Sequence, residues 1–330
     1  TFFIERILFN SKKSFGYIKS LRRLLKNTKI ILMDINKIKK NGKLAIADAL
    51  VKIEQNPFHK KTLLLLSQAY KSKNGYILGI TGPPGVGKSS LIKNLINHYR
   101  NKQKTVAVVA VDPSSKKTGG ALLGDRIRLE SNPDDKGLFI RSMAAKDKLG
   151  GLASITLSSV FLLNAIFDFT IIETVGVGQS ETDIANIADT VLFCVQPGSG
   201  DSLQFMKAGI VEIPDIIAIT KSDLGEVATN TFNDISNSLE FSVLEDKKKV
   251  PIINISSKEK KNIGNLIKLI DQHKTDNSSK IIKEKKKLKK SIFWLEESVK
   301  EQFGINGIKK LKEIRITKNS PFMQYLDLIK

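Results

Sequence analysis

Sulfur is nearly missing from this sequence. It holds one cysteine, Cys194, so no disulfide can close within the chain. Only three histidines stand beside it, a poor donor supply for a Cys/His structural metal site. A thiol-poor chain suits a reducing compartment. No uninterrupted apolar run reaches the length of about 18 residues that a membrane-spanning helix needs. Acid is also in short supply. There are 33 acidic against 54 basic residues, a net charge of +21, and 46 of the basic residues are lysine.

What is present describes a globular chain. Its 330 residues are 41% apolar and 26% charged, enough for a buried core and for about two domains. A charge of +21 raises nucleic acid as a partner, but its distribution argues against that. Residues 1–33 carry a net +7 and residues 273–330 a net +8, leaving +6 for everything between. Lysine-rich ends with abundant Ile and Asn fit an AT-biased genome, and a generic basic composition is not a reading motif. Nucleic acid and membrane are therefore not expected partners.

Four segments follow from patterning. Residues 1–33 are basic, contain Ser and hold one acid. They read as sequence upstream of a start at Met33, outside the mature protein, with a targeting peptide as the second reading. The expected location is cytoplasmic, or the mitochondrial matrix if that stretch is a transit peptide. Residues 34–74 read as helical, with Leu44, Ala45, Ala47, Leu50 and Val51 on one face and Pro57 dividing two helices. Between 75 and 272 the pattern changes to short β-branched runs. These are Tyr76–Thr81, Thr105–Val111, Leu138–Ile140, Phe169–Glu173, Thr190–Val195, Ile216–Thr220 and Ile252–Ile255, most of them separated by helical stretches. Continuous apolar runs mean strands buried on both faces. Strands alternating with helices mean an α/β fold with a mostly parallel, doubly wound sheet, flanked by an N-terminal helical cap. Residues 273–330 open with a polar linker, HKTDNSSK. They continue as a helical arm with Ile292, Leu295, Val299 and Phe303 on one face, next to Trp294. So small an arm must bury its stripe on the main domain or on a second copy.

Chemistry concentrates at the carboxyl ends of the expected strands, where ligands bind in such sheets. Gly82-Pro83-Pro84-Gly85-Val86-Gly87-Lys88-Ser89 is a full phosphate-loop pattern between a strand and a helix that begins with Ser90. Its glycines let backbone amides approach phosphate oxygens, and the helix N-terminus adds partial positive charge. Lys88 is placed to reach the outer phosphates and Ser89 to ligate Mg2+. About 130 residues on, Thr220-Lys221-Ser222-Asp223 ends another strand and fits the [NT]-K-x-D pattern. A carboxylate there accepts from guanine N1–H and the exocyclic amine together. Adenine would leave it desolvated and unpaired, at a cost of about 1–3 kcal/mol. Lys221 would lie over the base, and Ser256-Ser257-Lys258 is a candidate loop over guanine O6.

Acidic residues sit near by. Asp112 follows VVAV, Asp125 lies in GGALLGDR, and Glu173 ends IIE before TVGVGQSE. Mg2+ prefers oxygen ligands and keeps several waters, so one or two carboxylates suffice. Glu173-Thr174-Val175-Gly176 resembles a D-x-x-G switch with Glu for Asp, in which the Gly176 amide senses the γ-phosphate. Gln179 is a candidate for orienting water, although it stands three residues beyond Gly176.

In order along the chain, GITGPPGVGKSSLI, VAVDPSSKKTGGALLGDRIRL, FIRSMAAKDKLGGLA, ETVGVGQSETD and PGSGDSLQFMKAGIVEIPDIIAITKSD resemble the methylmalonyl-CoA mutase-associated GTPases. These are G-protein chaperones of the B12-dependent mutase, often described as arginine/ornithine transport ATPases. The resemblance spans about residues 34–272. It implies a P-loop GTPase that binds GTP and Mg2+, hydrolyses GTP slowly and dimerises through C-terminal helices. It also implies that the protein gates adenosylcobalamin delivery to the mutase and guards against inactivated cofactor. Lys88 and Ser89 would hold phosphate and metal, Asp112, Asp125 and Glu173 would surround the metal, and Asp223 would read guanine. Pro197–Lys207 resembles an extra switch, with Lys207 coupling nucleotide state to the mutase. Lys146-Asp147 departs from the small or basic-Gly pair that many relatives carry at that point. Alternatives are a nickel-insertion GTPase of the same class, an ATPase of amino-acid import and a metabolic kinase. Scattered His59, His98 and His273, a mid-strand Cys194 and the TKSD run weigh against them.

Overall fold

The computed structural model describes residues 34–72, 75–112, 134–144, 154–174, 179–198, 213–242, 250–312 and 320–329. Strands in this set are β1 (Tyr76–Thr81), β2 (Val106–Asp112), β3 (Leu138–Ala144), β4 (Phe169–Glu173), β5 (Thr190–Val195), β6 (Ile216–Ile219) and β7 (Ile252–Asn254). They form one sheet in the order β3-β2-β4-β1-β5-β6-β7, and every pairing is parallel. β1 lies between β4 and β5, with Leu78 opposite Ile171 on one side and Thr190 on the other.

Parallel strands need crossovers, and helices supply them. α1 (Ile35–Asn41), α2 (Lys43–Gln55) and α3 (Lys60–Lys71) precede the sheet. α4 (Lys88–Asn101), α5 (Ser154–Ile166), α6 (Gln179–Ile187), α7 (Glu226–Ser242) and α8 (Ile263–Asp276) lie among the strands or just after them. α9 (Lys280–Lys312) and α10 (Pro321–Leu328) end the described chain.

Both faces of the sheet are buried, as the uninterrupted apolar runs require. Ile77, Ala107, Val109 and Ile172 point into a core shared with α1–α3, α5, α6, α9 and α10. Leu78, Ile80, Val108 and Ile171 point into a second core, where Leu91, Ile92 and Leu95 of α4 meet Leu266, Ile267 and Ile270 of α8. α7 covers the β5–β6 end through Ala228 and Ile235.

Three expectations need correction. The segment before the sheet forms three helices, because Gly42 (φ 73°) breaks the run between α1 and α2. That break turns Leu44 outward, 87% exposed. The stretch read as a linker from His273 is helical through Asp276, since Leu266, Ile267 and Ile270 anchor α8 on the sheet. In the C-terminal arm Leu295 and Val299 are buried as expected. Phe303 is 49% exposed, where α9 kinks at Gly304 (φ 61°). Trp294 is a centre of the packing: it is 1% exposed, donates from Nε1 to Ser158 Oγ (2.9 Å), and lies 4.3 Å from the Phe322 ring. The arm thus packs on its own chain. Among the described residues no helix is long and apolar enough to cross a membrane.

Candidate functional site

The loop after β1 is shaped by glycines that no other residue could replace without strain. Gly82 adopts φ 138°, and a Cβ built there would stand 2.2 Å from the Cys194 carbonyl oxygen on β5. Gly87, at φ 99°, is the left-handed residue from which α4 starts. Pro83 and Pro84 occupy the turn between them. Lys88, the first residue of α4, is 7% exposed. Its ammonium donates back to the carbonyls of Gly82 (2.6 Å) and Pro83 (3.0 Å), which fixes it across the mouth of the loop. The chain therefore folds into a wrapped loop feeding a helix N-terminus, with amides and one ammonium converging on one place. Such an arrangement suits a chain of phosphates.

Ser89 donates from Oγ to Glu173 Oε1 at 3.1 Å, joining α4 to the carboxyl end of β4. The hydroxyl's single proton is spent on the carboxylate, so its lone pairs remain for other contacts. Glu173 is itself 8% exposed. Thr174 continues the same edge: its amide donates to the Ile80 carbonyl (3.1 Å) and its hydroxyl to Thr81 Oγ1 (2.8 Å). Two hard oxygens, one ionisable, thus stand beside the phosphate loop, a donor set that fits Mg2+. Asp112 is the last residue of β2, opposite Ala144, with its side chain outside the described set. Gln179 opens α6, and its side chain is likewise outside that set. Asp125, Gly176 and Lys207 lie outside the described residues.

The second half of the site hangs from β6. Thr220, 3% exposed, donates from Oγ1 toward the Val86 carbonyl (2.7 Å) and lies 3.0 Å from the Val195 carbonyl. One buried hydroxyl therefore ties the TKSD turn to the phosphate loop. Lys221 takes a left-handed conformation (φ 52°) and donates to Gln196 Oε1 (2.8 Å) at the end of β5. Asp223 lies in a short 3-10 turn, Ser222–Leu224, and accepts from Ser256 Oγ at 2.7 Å. That hydrogen bond holds its carboxyl below the ordinary 3.8, with Lys258 and Lys221 adding charge. Ser256 in turn accepts from the Glu259 amide (3.1 Å), and the Ser222 amide donates to the Ile255 carbonyl (3.0 Å). The Asn94 amide of α4 reaches the Ser257 carbonyl (3.4 Å). The structure thus brings together the segments around Gly82, Thr220 and Ser256, which are distant in sequence. Ser90 lies in the first turn of α4 beside them, and its carbonyl accepts from Asn94 (3.2 Å).

Four participants escaped the sequence reading: Asn94, Gln196, Thr81 and the Val86 carbonyl. Each acts through a contact across strands or helices. For Thr81 and Gln196 the only signal was a polar residue at the end of an apolar run, and Asn94 and the Val86 carbonyl gave none.

Three of the residues that bore on a metal-insertion role have other occupations. Cys194 is buried in β5, and burial pushes its thiol up to about 12, so it stays neutral. His59 caps α3 by accepting from the Lys61 amide (3.3 Å). His273 lies between Thr190 (2.5 Å) and Asp215 (3.2 Å).

A wrapped loop after the first strand of a parallel sheet, a lysine across its mouth and an Asp-bearing turn tied to it by one hydroxyl define a P-loop GTPase. Residues 44–310 match the family described as Methylmalonyl Co-A mutase-associated GTPase MeaB, and this chain belongs to that family. A Pyrococcus horikoshii protein named as a GTPase is 41% identical over 245 residues, 73% of this chain and 76% of that one. The Escherichia coli GTPase ArgK is 31% identical over 286 residues, 84% of this chain and 86% of that one. The Caenorhabditis elegans methylmalonic aciduria type A homolog, a mitochondrial protein, is 42% identical over 148 residues, 44% of this chain and 37% of that one. Among solved structures, a crystal structure of an LAO/AO transport system kinase shares the fold. Its TM-score is 0.64 at 24% identity, covering 89% of this chain and 96% of that one.

Proposed function

We propose that this GTPase is a nucleotide-driven chaperone of a B12-dependent acyl-CoA mutase, gating adenosylcobalamin loading and protecting the enzyme from inactivated cofactor. The observation that carries the reading is the match of residues 44–310 to a family described by its association with methylmalonyl-CoA mutase. The contact of Ser89 with Glu173, just before the proposed switch loop, is consistent with such a role.

In this reading the Gly82–Ser90 loop binds the phosphates through backbone amides, with Pro83, Pro84, Gly85 and Val86 forming its wall. Lys88 is oriented by two carbonyls, and its charge stabilises negative charge that develops on the outer phosphate oxygens. Ser89 and Glu173 would hold Mg2+, with Asp112 and Asp125 completing its surroundings. When bound, the ion neutralises phosphate charge and supplies electrostatic stabilisation. Water adds to the γ-phosphorus, the bond to the β–γ bridging oxygen breaks, and GDP and phosphate leave. Gln179 is the proposed water-orienting residue, and the Gly176 amide the sensor of the γ-phosphate. Without a contact to that phosphate the loop after Glu173 loses a partner, which is how hydrolysis becomes a change of conformation.

Asp223 selects the base. Its carboxylate is ionised and fixed by Ser256, ready to accept two hydrogen bonds from guanine. Lys221 and Thr220 shape the adjoining wall, and Ser257 and Lys258 close over the ring. Lys207 is the proposed link between nucleotide state and the mutase, and the C-terminal arm the proposed homodimer contact. The chain works in the cytoplasm, or in the mitochondrial matrix if residues 1–33 are a transit peptide.

The test is cofactor loading. Apo-mutase is mixed with adenosylcobalamin and this chain in the presence of GTP, a non-hydrolysable GTP analogue or GDP. Loading that depends on which nucleotide is present supports the reading. Equal loading with all three, and with no chain added, contradicts it.

A further inference from the structure

The amino-terminal end of the sheet, opposite the nucleotide loop, carries a basic cavity. A cavity of about 950 Å³ lies there, lined by Tyr76, Phe169 and Asp189 at the amino-terminal ends of β1, β4 and β5. Strand β1 separates it from the phosphate loop by about 17 Å, at about 3.3 Å per residue. Lys39, Lys104 and Lys274 line it from α1, the start of β2 and α8. Lys283, Lys286, Lys287 and Lys290 line it from successive turns of α9. The only carboxylates in the lining are Asp168, Asp189 and Asp271, which leaves an excess of four positive charges.

These cations are held mainly by neutral groups. Lys286 donates to the Asp189 carbonyl (2.6 Å) and Lys287 to the Tyr70 carbonyl (2.7 Å). Lys287 also stands 4.0 Å above the Tyr70 ring, and Lys274 stands 4.2 Å above Phe169. A carbonyl or an aromatic face orients an ammonium without cancelling its charge. Among the described residues Lys290 alone of these lysines forms an ion pair, with Asp189 Oδ1 at 2.6 Å. The carboxylates are engaged elsewhere as well: Asp168 accepts from the Thr105 amide and hydroxyl, both at 2.9 Å. Burial pulls Lys274, Lys286 and Lys287 below the ordinary lysine value, so charge is held here against a desolvation cost.

We propose that this cavity binds a small, multiply charged phosphate compound, with the α9 lysines and Lys104 on its charged groups. Its volume falls within the range of small-molecule sites. A ligand there would bridge α9 to the sheet, a position from which it could stabilise the packing of the C-terminal arm by mass action.

The experiment is calorimetric titration of the full chain, saturated with GDP so that the phosphate loop is filled. Inorganic tripolyphosphate and fructose 1,6-bisphosphate are the two probes. Saturable binding of either, weakening as ionic strength rises, is expected. Tighter binding of tripolyphosphate identifies inorganic polyphosphate as the source, and tighter binding of the sugar bisphosphate identifies a phosphate ester. The variant K39Q/K104Q/K283Q changes three exposed lysines whose side chains make no hydrogen bond or ion pair among the described residues. It should keep its GDP affinity and lose about tenfold or more in affinity for the probe. Three results overturn the proposal: no saturable binding of either probe, equal affinity in the variant, or loss of GDP and probe binding together.

Discussion

Replacing Thr220 with valine removes one buried hydroxyl and keeps the shape of the side chain. That hydroxyl reaches the Val86 carbonyl at 2.7 Å and the Val195 carbonyl at 3.0 Å, and Thr220 is 3% exposed. One proton cannot fully serve both acceptors, so the change costs one good hydrogen bond rather than two. The Val86 carbonyl keeps no substitute on that side, and leaving a buried acceptor bare costs about 1–3 kcal/mol. We expect T220V to lose about 1–2 kcal/mol of stability, read as a lower urea midpoint. T220S keeps the hydroxyl and gives up one buried methyl, at a cost of about 1 kcal/mol. Because the same bond registers the base-reading turn on the phosphate loop, T220V should also bind a fluorescent GDP analogue several-fold more weakly, while T220S binds it as the parent does. Two findings would refute this reasoning: an unchanged midpoint and affinity in T220V, or GDP affinity falling as far in T220S as in T220V.

Asp223→Asn should exchange guanine for xanthine preference, measured by competition of GTP and XTP for the same site; retained GTP preference would sink the base-reading role. The Asp223 carboxyl titrates below its ordinary 3.8, so its contribution is present above that value and is lost as pH falls through the lowered one. GDP affinity should accordingly hold steady as pH falls from neutral to 5, and a loss already complete at pH 6 would point to another group. Lys88→Ala should abolish GTP turnover while circular dichroism stays native, and normal turnover would remove Lys88 from the mechanism. Trp294→Ala empties a fully buried site against Phe322 and Tyr325 and should cost about 3–5 kcal/mol. A thermal midpoint unchanged in W294A would mean that the arm does not depend on this packing.

Strands β1, β4 and β5 carry the bounds that their apolar runs predict, because strands buried on both faces are apolar at most positions. β3 runs four residues beyond the expected Leu138–Ile140. Arg141 and Ser142 interrupt its apolar pattern, and Arg141 is accommodated by pairing with Glu54 (2.6 Å). Gly42 reads as one glycine within a helical pattern, and only its left-handed φ makes it a boundary. For the site, a local pattern was enough wherever the chemistry is local, as from Gly82 to Ser89. The Ser256-Ser257-Lys258 loop was legible as a candidate because it follows a strand, but its bond to Asp223 rests on β6 and β7 lying side by side. The bond from Thr220 to Val86 and that from Lys221 to Gln196 were not legible. They depend on β5 and β6 being adjacent in the sheet, which no pattern along the chain states.

If GTP hydrolysis by this chain answers to a mutase, GTP turnover measured with and without a B12-dependent acyl-CoA mutase from the same source will show it. Slow turnover by the chain alone and a rise when the mutase is added are expected. Turnover that ignores every such mutase would leave the GTPase in place and contradict the client assigned to it.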